Sequence, residues 1–308
     1  MDHVAGLRQA LAGRGRLAEP LSRHTTSRIG GPAEVLVEAT SADDLRDLAL
    51  LARRHQVPVF VLGGGANILV ADAGIRGLTI LNKARRLEFL DGGRVRAESG
   101  VLLPTLAREC IARGLGGLEW AIGVPGTAGG AVVGNAGAHG RDIAADVSQV
   151  WILGPDNNVH AWSVEELEFA YRTSRIKQEA KAGDATAPYV VLAAEFDLAQ
   201  GSRTQLEAKA AEFNEYRRRT QPPGASIGSM FKNPPGDAAG RLIDAAGLKG
   251  TRIGQAEIST VHANFFVNVG GATAQNVMTL INLVREKVIQ KFGVTLELEV
   301  ELVGDWNH

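Results

Sequence analysis

The sequence predicts an α+β chain of two or three domains, and three observations carry that reading. At 308 residues the chain is about twice the commonest domain size, so more than one core is expected. Strand-like and helix-like segments follow one another in mixed order, and the glycine run Gly63-Gly-Gly-Ala-Asn67 stands between two of the strands. The dinucleotide fingerprint of a Rossmann fold needs glycines that open a helix, so that fold is set aside. A composition shift near Gly201 marks the start of a last domain.

Lys and Arg number 33 against 34 Asp and Glu, a formal net charge of −1. No global field gathers phosphate backbones or anionic lipid, and neither nucleic acid nor a membrane is expected as a partner. Hydrophobic residues at 45% and charged ones at 22% are ordinary globular proportions, with no run near the roughly 20 apolar residues that a bilayer-crossing helix needs. Met1-Asp-His3 lacks the cationic start and apolar core of a signal peptide, and the lone Cys110 cannot form an intrachain disulfide. A cytoplasmic protein is expected, as a monomer or weak oligomer. The seven histidines fall in no ligand spacing, so no metal is expected; His262, ahead of an apolar strand, reads as a hydrogen-bonded structural residue. Glycine, 37 of 308, exceeds the usual figure of about 7%. With no three-residue period, these glycines mark places where backbone must approach something closely.

In chain order, Ala33 to Glu38 reads as a strand, and Ser41-Ala-Asp-Asp44 as a capping box opening a helix with Leu45, Leu48, Ala49 and Ala52 on one face. Val57 to Leu62 and Ile68 to Val70 read as strands around the triple glycine, and Asp91-Gly-Gly93 as a hairpin turn. A helix is expected over Pro104 to Arg113, strands over Val147 to Leu153 and Val190 to Leu198, one helical turn over Glu165 to Phe169, and a polar loop over Lys181 to Pro188. Ser202 to Gln205 reads as a second capping box, opening a helix to about Thr220 that Gln221-Pro-Pro-Gly224 ends. Asp237 caps a short helix with Leu242 and Ile243, and Val261 to Val269 is strand-like. Thr273 caps a long amphipathic helix on Val277, Leu280, Ile281, Val284 and Val288. Val294 to Leu302 alternates as a last strand.

Several clusters could carry chemistry. Consecutive glycines at 63 to 65 let successive N–H groups face one concavity that suits pyrophosphate, with Asn67 as an added donor; a tight hairpin with no ligand gives the same pattern. The stretch 123–140 holds seven glycines in eighteen residues. Gly129, Gly130, Gly134, Ala136, Gly137 and Ala138 would let a flat aromatic cofactor lie against backbone, or two strands pack closely. Arg172, Arg175 and Lys177 form a cationic stretch that could hold a carboxylate or phosphate or could simply be solvated. Ser229 lies in Ile227-Gly-Ser-Met-Phe-Lys-Asn-Pro234, where Phe231 occupies the place that a hydrolase elbow reserves for glycine. Glu299 stands in a row with Glu297 and Glu301, and a solvated edge is the plain alternative.

These residues together resemble the UDP-N-acetylenolpyruvoylglucosamine reductase family, in its shorter form. The resemblance spans nearly the whole chain. It rests on Ser27-Arg-Ile-Gly-Gly31, Gly63-Gly-Gly-Ala-Asn-Ile-Leu-Val70, Gly117 to Gly130, Gly134-Asn-Ala-Gly137, Tyr171-Arg172, Gly228-Ser-Met-Phe-Lys-Asn-Pro234, Ala246-Gly-Leu-Lys-Gly250 and Leu298-Glu-Val300. One departure is Leu298, where the family usually has proline. The resemblance implies a two-subdomain FAD-binding fold of the PCMH or vanillyl-alcohol-oxidase type over 1–82 and 83–200, then an α/β substrate-binding domain over 201–308, with the strand 294–303 expected to approach the flavin domain. It implies non-covalent FAD, with Gly63, Gly64, Gly65, Ala66 and Asn67 at the pyrophosphate. The flavin ring would lie along Gly123, Pro125, Gly126, Thr127, Gly129, Gly130, Gly134, Asn135, Ala136 and Gly137. NADPH would reduce FAD, and UDP-N-acetylglucosamine enolpyruvate would then take hydride from flavin N5 at C3 and a proton from Ser229 at C2. Arg172 and Glu299 would face the developing enolate, and Tyr171, Arg172, Lys232 and Asn233 would touch substrate. Another flavin oxidase or dehydrogenase on the same fold, and a flavin-binding module without catalysis, are the alternatives.

Overall fold

The computed structural model describes residues 3–182 and 185–306. The expected polar loop over Lys181 to Pro188 therefore lies partly outside the described residues. The chain divides into two compact units, Met1–Leu17 with Glu34–Gly64 and Gly77–Glu215, and Ala18–Ala33 with Gly65–Arg76 and Tyr216–His308.

Two sheets are built largely from segments of the first unit. One is four-stranded, in the order Arg16–Pro20, Pro32–Ala39, Ile75–Asn82, Val59–Leu62, and its last two strands run parallel from Val59↔Leu78 to Leu62↔Leu81. The Ala42–Arg54 helix buries Leu45, Leu48, Ala49 and Ala52 as its spacing requires. Its cap is only half of the expected box. Ser41 Oγ accepts from Asp44 N–H at 3.1 Å, but the Asp44 carboxylate turns away to Thr40 N–H at 2.9 Å and to Arg14 at 2.8 Å. The second sheet is antiparallel and five-stranded, in the order Val159–Ser163, Val147–Leu153, Val190–Asp197, Arg94–Glu98, Leu87–Phe89. Asp91–Gly93 closes its hairpin, with Gly92 at φ 75°.

Three helices of this unit are absent from the sequence reading, the first of them His3–Ala10 with Leu7 buried. Ala128–Gly134 is helical although it contains three glycines, each costing about 1 kcal/mol relative to alanine in a helix; burial of Ala128, Ala131 and Val132 in the core overrides that propensity. Arg175–Ala182 is helical where a polar stretch was expected, anchored by buried Ile176.

The second unit holds the antiparallel sheet Ala225–Ser229, Phe265–Asn268, Ala256–Ile258, Arg252–Ile253. The Ala274–Phe292 helix covers it with Val277, Leu280, Ile281, Val284 and Val288 buried, a complete capping box at Thr273 and Asn276, and Gly293 as its left-handed exit. The last strand is shorter than its alternation predicts. Only Glu301–Val303 is a strand, parallel to Ile68–Val70, while Leu298 makes an isolated antiparallel bridge to Phe231. Leu296 and Val300 are buried and Glu297 is exposed, so the alternation reported burial. The chain changes partner midway, which no single ladder can follow.

Candidate active site

The two glycine segments meet in the first unit. A Cβ on Gly63 would lie 2.6 Å from Thr127 Oγ1, and one on Gly64 would lie 2.9 Å from Gly126 Cα; real Cβ atoms do not come so close, so both positions require glycine. In the second unit Gly65, at φ 59°, lies so close to His24 that a Cβ would fall 2.2 Å from its carbonyl oxygen, and Gly65 O accepts from Thr26 N–H.

Along 123–140 the glycines divide into two kinds. Gly129 and Gly137 are packing glycines, against Ser99 and Arg141 O respectively. Gly130 and Gly134 stand one turn apart on one helix face. A Cβ at 134 would meet nothing within 4 Å, and one at 130 only Thr127 Oγ1 at 3.6 Å. Thr127 caps this helix through Gly130 N–H, Gly123 ends the turn before it, Pro125 is exposed and Ala136 half-buried. This open face is a bed of backbone that small residues keep clear. Asn135 is buried, at φ 42°, and its side chain serves the frame: Nδ2 donates to Ala170 O at 3.0 Å, and Oδ1 accepts from Ala144 N–H.

Arg172 is held beside that bed. Ala170 and Thr173 exchange both backbone hydrogen bonds at 3.1 Å, making Tyr171-Arg172 the tip of a tight turn with Arg172 at φ 57°. Its Nη2 donates to Gly137 O at 2.7 Å, and its guanidinium lies over the Tyr171 ring at 5.1 Å. The other two cations of the stretch do not join it as expected. Arg175 is engaged by Glu179 at 2.6 Å and by the Trp162 ring. Lys177 is only 8% exposed and donates from Nζ to Arg172 O at 3.1 Å.

In the second unit, the sequence around Ser229 folds as an irregular strand. Gly228 sits at φ 93°, and the register with Phe265–Asn268 slips between Ser226 and Ser229. Asn264, buried and missed by the sequence reading, grips the next residues on three sides. Its backbone O accepts from Met230 N–H, its Oδ1 from Phe231 N–H, and its Nδ2 donates to Phe231 O, all within 2.9 Å. No motif chemistry marks such an asparagine; only its position before Phe265-Phe266 hints at burial. The segment then meets the C-terminal residues: Glu299 N–H donates to Met230 O and Lys232 N–H to Glu297 O, both at 2.9 Å. Ser229, Lys232 and Glu299 thus share one backbone frame, and Asn67 joins it by donating to Glu299 O at 3.1 Å. Lys232 Nζ lies 3.4 Å from exposed Glu297. Asn233 turns to the short helix that follows, where its Oδ1 accepts from Ala239 N–H at 3.0 Å. His262 Nδ1 accepts from Asn264 N–H, and burial pushes its pKa down, as befits a structural imidazole. No metal-ligand cluster occurs among the described residues, and no helix among them is long and apolar enough to cross a membrane.

Comparison with known proteins matches this geometry. Residues 33–160 match the FAD binding domain family, and residues 220–303 match the C-terminal domain of UDP-N-acetylenolpyruvoylglucosamine reductase. The reductase of Rubrobacter xylanophilus is 47% identical over 97% of this chain and 99% of its own length. The chain belongs to the UDP-N-acetylenolpyruvoylglucosamine reductase family. The family reductase of Bacillus velezensis is 39% identical over 98% of each chain. The crystal structure of the Thermus caldophilus reductase, 35% identical, aligns with a TM-score of 0.79 over 94% of this chain and 99% of that one. The α+β flavin-binding fold and the family expected from the motifs are therefore borne out. The C-terminal match, which contains Ser229, Lys232 and Glu299, separates this reductase-family chain from other flavin oxidases on the fold.

Proposed function

We propose that this protein reduces UDP-N-acetylglucosamine enolpyruvate to UDP-N-acetylmuramate in peptidoglycan precursor synthesis, with NADPH as reductant. The single observation that supports the reading best is the bridge between Phe231 and Leu298, which places Ser229 and Glu299 on adjoining segments. The glycine bed fits FAD, since side chains at 130 and 134 would fill the space that a flat ring needs. FAD would be held without a covalent link, its pyrophosphate by residues 63–67 and its ring by residues 123–137. When bound, FAD relays a hydride from NADPH to C3 of the enolpyruvyl group.

This chain's residues manage the charge and the proton. Adding hydride at C3 drives charge toward the substrate carboxylate as an enolate, and Arg172 supplies a fixed cation there; one such preorganised donor contributes about 10²–10³ in rate. Glu299 faces the same group as a hydrogen-bonding acid. Ser229 gives its hydroxyl proton to C2 and is reprotonated from solvent. A serine is a weak acid, so Lys232 supports the departing charge, and its loose pairing with an exposed carboxylate leaves it able to turn to the reaction. Tyr171 and Asn233 complete the substrate contacts. Residues 1–82 and 83–200 are read as the two flavin-binding subdomains and 201–308 as the substrate domain, in a cytoplasmic protein that is a monomer or weak oligomer with no nucleic-acid or membrane partner.

Anaerobic flavin absorbance tests this directly. NADPH should bleach the bound flavin, and UDP-N-acetylglucosamine enolpyruvate should restore it; bleaching without recovery would exclude this substrate.

A further inference from the structure

We infer that Lys177 is a positioning residue for Arg172. The inference rests on the proposed role of Arg172 at the substrate carboxylate, and it gives Lys177 a role other than the direct anion contact that the sequence left open.

Three observations point the same way. Arg172 sits at φ 57°, a left-handed conformation that non-glycine residues rarely adopt, so something around it must hold it. Its side chain alone does not: the guanidinium reaches Gly137 O, but a long flexible side chain can do so from more than one backbone setting. The backbone turn, closed by the Ala170–Thr173 pair, is tied a second time at its tip by Lys177, whose ammonium donates to Arg172 O at 3.1 Å. Lys177 is in turn fixed. It lies in the first turn of the Arg175–Ala182 helix, its N–H is bonded to Ser174 Oγ, and Ser174 Oγ donates to Val133 O in the glycine-rich helix at 2.7 Å.

The chain of contacts therefore runs from the glycine bed through Ser174 and Lys177 to the carbonyl of Arg172, then back through the guanidinium to Gly137. Arg172 is clamped at both ends of the residue, relative to the same backbone on which the ring of FAD would lie. Burying a lysine costs free energy unless its ammonium is hydrogen-bonded, and the Arg172 carbonyl supplies such a partner. The ammonium's charge strengthens the hydrogen bond that ties the turn.

The test is a double-mutant cycle on the FAD-loaded protein, with Lys177→Met, Arg172→Ala and the pair, each measured by thermal melting, by substrate affinity, and by the rates of flavin reduction and reoxidation. Lys177→Met should leave NADPH reduction near wild type and slow reoxidation by on the order of tenfold to a hundredfold, as small misplacements of catalytic groups do. The pair should be no slower than Arg172→Ala alone. Lys177→Gln, a shorter neutral donor, takes its place if Lys177→Met does not fold. If Arg172→Ala reoxidises normally, the role assigned to Arg172 fails, and this inference with it. If Arg172→Ala is slow but the lysine variant is normal, only the inference fails. Multiplicative losses in the pair would also overturn it, since Lys177 would then act independently of Arg172.

Discussion

Asn67 donates from its carboxamide to the backbone carbonyl of Glu299 at 3.1 Å, and Asn67 O accepts from Glu301 N–H at 3.0 Å. The residue expected to contribute a donor to pyrophosphate thus uses that donor to hold the carboxylate-bearing segment. Asn67→Asp replaces the donor with a carboxylate facing a carbonyl oxygen. Its expected effect is a loss of about 1 kcal/mol in stability, read as a shift of about 2–4 °C in melting temperature. The fall in kcat should reach about tenfold as Glu299 loses its placement, and unchanged kcat would show that the tie does not serve Glu299.

Ser229→Ala separates the two half-reactions. NADPH should bleach the flavin at nearly the wild-type rate, while recovery on substrate should slow by about 10²–10⁴, the usual contribution of a positioned proton donor. Equal losses in both halves would remove the serine from that role.

Much of this was legible because the relevant signals are local. The stripe of the Ala274–Phe292 helix, its Thr273 cap and its Gly293 exit stand in the sequence in order. The glycines at 63 and 64 could be read as points of close approach, but not what they approach, because Thr127 and Gly126 come from a segment about sixty residues away. The helix at Ala128–Gly134 was hidden by its own glycines, whose weak propensity is overridden by core packing. The inward turn of Lys177 was equally hidden, since a lysine just after Arg172 and Arg175 looks like one more solvated cation until the left-handed turn at Arg172 brings a carbonyl to it.

Leu298, where the family resemblance leads one to expect proline, disturbs nothing in the frame. The bridge to Phe231 uses Lys232 N–H to Glu297 O and Glu299 N–H to Met230 O; the N–H of residue 298 takes part in neither. Proline removes only that N–H and fixes φ. Leu298→Pro should therefore keep kcat within a few-fold of wild type, and a collapse in activity would mean that the leucine side chain, half-buried against the second core, carries the segment.

Gly134→Ala separates stability from cofactor binding. The added methyl meets no heavy atom within 4 Å, and alanine favours a helix over glycine by about 0.5–1 kcal/mol. The apoprotein should melt no lower than wild type, yet retain FAD less well, because the methyl would stand on the open face of the bed. Gly63→Ala should behave oppositely and lower apoprotein stability, since its methyl would sit 2.6 Å from Thr127 Oγ1. Equal FAD affinity in wild type and Gly134→Ala would place the ring elsewhere.

The acid limb of stability should include Asp44. Arg14 holds its carboxyl below the ordinary carboxylate range through paired hydrogen bonds of 2.9 and 2.8 Å, and Thr40 N–H adds to the effect. A depressed native pKa means that the unfolded chain binds more protons than the folded one across the interval between the two values. The contribution is therefore complete above the unfolded value of about 3.9 and is lost as pH falls through the folded one. Arg14 is half exposed, at 49%, so solvent screening limits the pair to about 1 kcal/mol or less. Asp44→Asn should melt slightly below wild type at pH 7, and the difference should shrink as pH falls below about 4. A gap that persists undiminished at the lowest pH at which the protein stays folded would assign the loss to the hydrogen bond from Thr40 N–H and not to the charge.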